Sequence, residues 1–209
     1  MTVLETSEPV ALSITGTSID GGAVPDTIET FSYMSSTLTA TVITRDGKAM
    51  DGVAVSTSDN SQTTDSSGQL TFEVSNGSDV VMDASFAIDD SATRAINSMD
   101  ALQALRIAVA LDTSNGPATY EDYIAADIDG SGSVNSMDAL NILKYAVGLD
   151  APDPHWVFID SAADHSAIKQ TSVNYDTGMT LEDFSVDASV SLTGILVGDI
   201  DDSYSGLIA

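Results

Sequence analysis

Cysteine is absent from this sequence, which excludes a disulfide framework, thiolate metal sites and a cysteine nucleophile. Positive charge is almost absent too: six Lys and Arg stand against 32 Asp and Glu, for a formal net charge of -26. Phosphate binding needs clustered Lys and Arg, so nucleic acid is excluded as a partner, and an anionic membrane surface is disfavoured for the same reason. Aromatics make up 6% of the residues, with one Trp, which lends little to a sugar-stacking face. No run is long and apolar enough to span a bilayer, so no membrane insertion is expected. The first residues lack a basic stretch followed by an apolar one, so no signal peptide is visible; Met1 and the polar segment after it read as the start of an excised piece of a longer protein.

What is present argues for a folded chain. Hydrophobic residues reach 43% of the 209, enough to bury a core in one large domain or two small ones. Charge of one sign repels itself in the compact state, so divalent cations or high salt should stabilise the fold.

Short alternating runs separated by turn signals fill the region up to about residue 87 and point to a small β-sandwich. Leu38–Thr44, Gly52–Thr57, Gln69–Ser75 and Asp79–Phe86 are the strands expected, the last two flanking Asn76-Gly77, a strong hairpin signal because both residues tolerate positive φ. Leu70, Phe72 and Val74 would share one face. Thr44-Arg-Asp-Gly-Lys-Ala-Met-Asp-Gly-Val-Ala-Val and Thr64-Asp-Ser-Ser-Gly-Gln-Leu-Thr-Phe resemble the regulatory domain of carboxypeptidases and related bacterial surface sandwiches. That resemblance implies an immunoglobulin-like spacer.

The middle of the chain changes period. Ala101–Leu111 and Ala139–Leu149 carry apolar residues at helical spacing, and the segments 96–112 and 134–150 align without gaps, 38 residues apart. Two copies are too few for a solenoid but suit a pseudo-two-fold helical pair. After Pro152 and Pro154, the runs Trp156–Ile159, Thr180–Val186 and Val190–Val197 return to β-like patterns. About sixty residues of β-structure would be marginal alone, so these segments should pack with each other or onto the helices. The expected fold class is mixed α and β: a sandwich over 1–87, a helical pair over 88–151 and a C-terminal β-segment over 152–209.

One stretch carries recognisable chemistry. Calcium takes six to eight oxygens at roughly 2.3–2.6 Å, and a twelve-residue loop delivers them from positions one, three, five, seven, nine and twelve. Read from Asp127, those positions are Asp127, Asp129, Ser131, Ser133 through its carbonyl, Asn135 and Asp138, with Gly132 at the sixth, where the loop turns sharply. Val134 at the eighth would point inward and pair with a counterpart in a facing loop. Mg²⁺ fits less well, because it favours rigid octahedral sites with retained waters. The competing reading is an Asp/Gly/Ser surface turn.

Asp138 stands where an ordinary EF-hand has Glu, and each copy of the repeat continues as Asp-Ala-Leu-x-x-Leu. In this the stretch from about Asp89 to Asp150 resembles a type I dockerin. The resemblance implies paired F-hand loops, Ca²⁺ as the cofactor, and helices that dock onto a cohesin. The first copy departs from the pattern: Asp89 and Asp100 are the acids at its ends, but Arg94 replaces the turn glycine, so it is the weaker candidate for a second site. Ile96 and Leu102 would still serve the core. By the same resemblance, Ser136, Met137, Leu143 and Lys144, with Ser98, Met99, Leu105 and Arg106 in the other copy, are the partner-recognition positions. Internal packing of the two leucines against neighbouring segments is the favoured expectation over an external cohesin-like domain. Asp199-Ile-Asp-Asp-Ser203 repeats the opening of a calcium loop without its closing ligand and reads as a terminal turn.

The order of sandwich, paired loops and Pro-x-Pro-His-Trp strand also resembles a module of large acidic bacterial surface and repeats-in-toxin proteins, implying secretion or display at the cell surface. No catalytic set emerges. His155 and His165 form no His-Glu-x-x-His, and among 32 acids some carboxylate pair always occurs, so glycosidase geometry is not indicated. The expected function is that of a calcium-binding structural or protein-interaction module, not an enzyme. The alternatives are a true dockerin that binds a cohesin scaffold and a carbohydrate-binding adhesin domain.

Overall fold

Period-two burial decides the strands. In β1 (Ser35–Thr44) every second residue from Ser36 is buried, among them Leu38, Ala40 and Val42, and β4 (Gln69–Ser75) and β5 (Ser78–Ser85) bury Leu70 and Phe72, and Val80 and Met82, in the same way. The computed structural model describes residues 34–204; the part of the expected sandwich before residue 34 lies outside the described residues. Short strands β2 (Ala54–Ser56) and β3 (Ser61–Thr63) complete the first half, β3 arising within a Ser/Asp/Thr-rich stretch that reads as loop. Four helices follow: α1 (Asp90–Ala95), α2 (Ser98–Ala108), α3 (Tyr120–Ala126) and α4 (Ser136–Ala146). Strands β6 (Trp156–Asp160), β7 (Met179–Phe184) and β8 (Ala188–Leu196) end the order.

The strands form two four-stranded sheets, β4-β1-β8-β6 and β3-β2-β5-β7. The sandwich is therefore built from segments before and after the helices, which are inserted between its halves. β8 runs parallel to β1, with Ala40 opposite Val190, and antiparallel to β6, while β7 lies along β5. Asn76-Gly77 does not close a hairpin, because β4 and β5 belong to different sheets. The Asn76 N–H donates to Met34 O at 2.8 Å and the Gly77 N–H to Phe184 O at 2.7 Å, so the turn's donors are taken by segments of opposite sheets and the chain arches from one to the other. Gly77 does adopt the positive φ, +79°, that the sequence suggested.

Two cores share the first sheet. Leu38, Val42, Met50, Phe72, Met82, Phe158 and Leu192 fill the space between the sheets. On the outer face, Val157, Ile159 and Ile195 meet a second core, to which the helices contribute Ala92, Ala95, Ala104, Ala125, Ala126 and Ile142. β6, although at the edge of its sheet, is buried on both faces because it lies between the two layers. Gly194 lets the layers approach: a Cβ there would lie 2.6 Å from Met50 Sδ and 2.9 Å from Phe158 Cε1.

Candidate metal centre

The helices of the repeat start by reciprocal capping. Asn97 and Asn135 occupy the N-caps, their side-chain oxygens accepting from Met99 and Met137 N–H at 2.7 and 2.8 Å. Asp100 and Asp138, three residues on, each return an oxygen to the cap N–H at 2.9 Å. Such a capping box satisfies orphan donors of the first turn, and it engages one oxygen of the closing aspartate. The helices therefore begin three residues before the apolar runs Ala101–Leu111 and Ala139–Leu149 that signalled them.

Asp127 is the C-cap of α3, so the loop is stretched between two helices. Asp127, Asp129 and Asp138 present carboxylate oxygens within 4.8 Å of one another. Asp127 accepts from Ser131 N–H at 3.0 Å and Gly132 N–H at 2.9 Å, and Asp129 accepts from the same Ser131 N–H at 3.0 Å. Ser131 Oγ and Asn135 Nδ2 converge on the Ser133 carbonyl at 3.2 and 3.3 Å. The loop thus brings its three carboxylates together, with Ser131 and Asn135 hydrogen-bonded to the Ser133 carbonyl beside them. Gly132, at φ +81°, supplies the left-handed turn that a side chain would strain. Val134 is buried in the helical core, but its backbone pairs with Gln170.

The electrostatics are those of a site short of positive charge. Asp138 is 0% exposed, and its Oδ1 is shut off from solvent and accepts no hydrogen bond. Burial, followed by the charges of Asp129 and Asp127, pushes its pKa up, and burial raises that of Asp127 as well. Among the described residues the ion pairs are Arg45–Asp122 and Lys48–Asp46; neither reaches this loop. A buried carboxylate without a counter-charge is costly, and a hard divalent cation with oxygen ligands is the group that this donor set fits.

Asp89 and Asp100 are not brought together as the ends of one continuous loop. Asp89 caps α1 by accepting from Ser91 and Ala92 N–H at 3.0 and 2.8 Å, and residues 90–95, which would have to form the loop, are helical. The acids grouped with Asp100 are Asp199 and Asp201, from the segment whose sequence reads as a terminal turn. No local window could have paired them; the available signal was the Asp-x-Asp-x-Ser spacing shared by Asp127–Ser131 and Asp199–Ser203.

Of the positions expected to meet a partner, Ser98, Leu105, Ser136 and Leu143 share one open surface. α2 packs along α4, and Leu102, Leu105, Leu140 and Leu143, with Ser98 and Ser136, line an apolar groove of about 340 Å³ between them. Leu105 is 42% and Leu143 41% exposed, so the expectation that neighbouring segments bury these leucines is not met. Leu102 also faces outward rather than joining Ile96 in the core, and Met99 and Met137 are exposed beside it. Lys144 and Arg106 fall in the last turns of α4 and α2, Arg106 turning its Nε back to the Asp112 carbonyl at 2.6 Å. None of the helices among the described residues is long and apolar enough to cross a membrane.

Comparison of the sequence with family models gives no match, and comparison with curated proteins gives none either.

Proposed function

We propose that this chain is a non-catalytic, calcium-ordered interaction module of a secreted bacterial surface protein, with Ca²⁺ held by Asp127, Asp129, Ser131, the Ser133 carbonyl, Asn135 and Asp138. One observation carries the reading: Asp138 Oδ1 is buried, lacks any protein partner, and lies against two further carboxylates. A cation at that point completes its coordination and offsets the repulsion among the three acids. Extracellular-type sites of roughly 10⁻⁴–10⁻³ M affinity fill outside the cell and stay empty at cytosolic calcium, so ordering of the loop would be coupled to export. Calorimetric titration of the chelator-treated chain with CaCl₂ tests this. Loss of a calcium-binding event in Asp127→Ala supports the reading, and an unchanged isotherm in that variant refutes it.

A dockerin-like use of the helices is favoured by a separate observation. The groove between α2 and α4 presents the same residue types twice, Ser98, Leu102 and Leu105 opposite Ser136, Leu140 and Leu143. A cohesin-like partner could then dock in either of two orientations. Pulldown with a cohesin panel, in calcium and in chelator, tests it; capture that is insensitive to Leu105→Asp plus Leu143→Asp would rule out this surface.

A further inference from the structure

We infer that the chain holds a second divalent cation in a site split between two distant segments: Asp199, Asp201 and Ser203 from the turn that follows β8, and the Ala95 carbonyl, Asn97 and Asp100 from the end of α1 and the start of α2. The ion's identity is borrowed from the reading of the Asp127–Asp138 loop; the site itself stands on its own residues.

The six positions repeat those of the continuous loop with the chain cut between positions six and seven. Asp199 accepts from Ser203 N–H at 3.0 Å, Ser203 Oγ at 3.3 Å and Tyr204 N–H at 2.9 Å, where Asp127 accepts from Ser131 N–H, Ser131 Oγ and Gly132 N–H at 3.0, 3.3 and 2.9 Å. Ser203 Oγ reaches the Ala95 carbonyl at 3.2 Å, as Ser131 Oγ reaches that of Ser133 at the same distance. Asn97 Nδ2 donates to the Ala95 carbonyl at 2.7 Å, matching Asn135 on Ser133. Asp202 holds the left-handed conformation, φ +56°, that Gly130 holds at +64°. Gly198 lets the segment in: its N–H donates to Ala125 O at 2.8 Å, and a Cβ there would lie 2.9 Å from Ile96 Cδ1.

Resemblance between loops would not by itself imply an ion. The independent observation is Asp201 Oδ1, which is sealed from solvent and has no hydrogen-bond partner, as Asp138 Oδ1 is in the other site. It belongs to a carboxylate grouped with Asp100 and Asp199, which are 0% and 2% exposed. Among the described residues Arg45 comes close at the backbone, donating to the Asp199 and Ile200 carbonyls at 3.2 and 3.3 Å while paired to Asp122. Three carboxylates, two of them almost wholly buried, thus converge without a cationic side chain among their ion-pair partners. A hard cation at their centre supplies the missing charge. It would also act as a clasp, because its ligands are about a hundred residues apart, as the Ile200 N–H bond to Asp100 Oδ1 at 2.9 Å shows.

Native mass spectrometry and calorimetry of the full, chelator-treated chain with CaCl₂, with MgCl₂ as control, decide the matter. The unmodified chain is expected to take up two calcium ions, Asp201→Asn one, Asp129→Asn one, and the double variant none. Removing a ligand that does not abolish binding should still weaken that ion's affinity by about tenfold or more. Asp201→Asn costs Oδ1 no protein hydrogen bond and should fold; if its circular dichroism shows otherwise, Ser203→Ala carries the same readout. Uptake that Asp201→Asn and Ser203→Ala leave unchanged overturns the split site, whatever Asp129→Asn does. Loss of one ion in Asp201→Asn with none lost in Asp129→Asn keeps the split site and removes the continuous one. No uptake by the unmodified chain at millimolar calcium overturns both.

Discussion

The two layers packed on either face of the β4-β1-β8-β6 sheet are held by different forces. Between the sheets the filling is large and apolar: Phe72, Phe158, Leu38, Met50 and Met82 are fully buried, and each contributes roughly 1.5–3 kcal/mol by leaving water. In the other layer the helices themselves contribute mainly alanines, with Ile107, Ile124 and Ile142 as their larger buried members beside Ile96, Ile128, Ile168 and Ile200 from the connecting segments, and this layer buries Asp100, Asp127, Asp138 and Asp199. Small side chains contribute less by burial, and carboxylates oppose it. The sandwich can therefore stand on its packing, whereas the helical layer needs something to offset its charge. If that contrast is right, substitutions in the first layer should act regardless of calcium and those in the second only through it.

The largest expected effect is in the dry core. Phe72→Ala opens a cavity between the sheets and should cost about 3–5 kcal/mol in urea denaturation, equally in calcium and in chelator. A cost that depended on calcium would dissolve the distinction between the layers. Next comes loss of the ion itself. At free calcium about a hundredfold above Kd, one site adds about 2.7 kcal/mol, and Asp127→Ala should remove that site's share while leaving stability in chelator little changed. Hydrogen exchange should show amides of residues 127–135 losing protection in chelator while those of β1 keep theirs.

A smaller effect follows from the raised carboxylates. Burial, followed by the charges of Asp201 and Asp199, pushes the Asp100 pKa from 3.8 up to about 7, and Asp138 and Asp199 are shifted upward in the same direction. Between about pH 4 and about pH 7 the metal-free folded chain then binds more protons than the unfolded chain, so its stability falls as pH rises through that window. Calcium replaces those protons, so the gain in melting temperature on adding calcium should shrink steadily from about pH 8 to about pH 5. A gain independent of pH would mean that the buried acids are not the ligands.

Much of this was legible from residues close in sequence. The strands Leu38–Thr44 and Gln69–Ser75 announce themselves by alternation, and the meeting of Asp127, Asp129 and Asp138 by spacing, because each is specified within a dozen residues. The parallel pairing of β1 with β8 is specified by nothing local: Ala40 meets Val190 only because the strands before and after the helices must bury their apolar faces against the same two cores. The Asn76-Gly77 turn carried a true conformational signal, but turn chemistry fixes the bend and not the sheet to which the next strand adds. Asp199–Ser203 was readable as half of a loop. Its other half, Ala95 to Asp100, was readable as half of a repeat, and their junction is visible only in three dimensions.

The smallest effect on stability should accompany the largest effect on association. Leu105 and Leu143 remain about two-fifths exposed, so Leu105→Asp together with Leu143→Asp removes little buried area and should change the unfolding free energy by only about 0.5 kcal/mol. Both positions line the groove between α2 and α4, where a partner's apolar side chains would have to be desolvated against them, and a buried unpaired carboxylate at each would be strongly unfavourable. The double variant should therefore keep its calcium stoichiometry and melting temperature while losing capture by a cohesin-like domain. A melting temperature that fell as far as it does in Phe72→Ala would instead assign these leucines to the core. The helical layer would then be held by packing after all, and the contrast with the sandwich would fail where the two repeats meet.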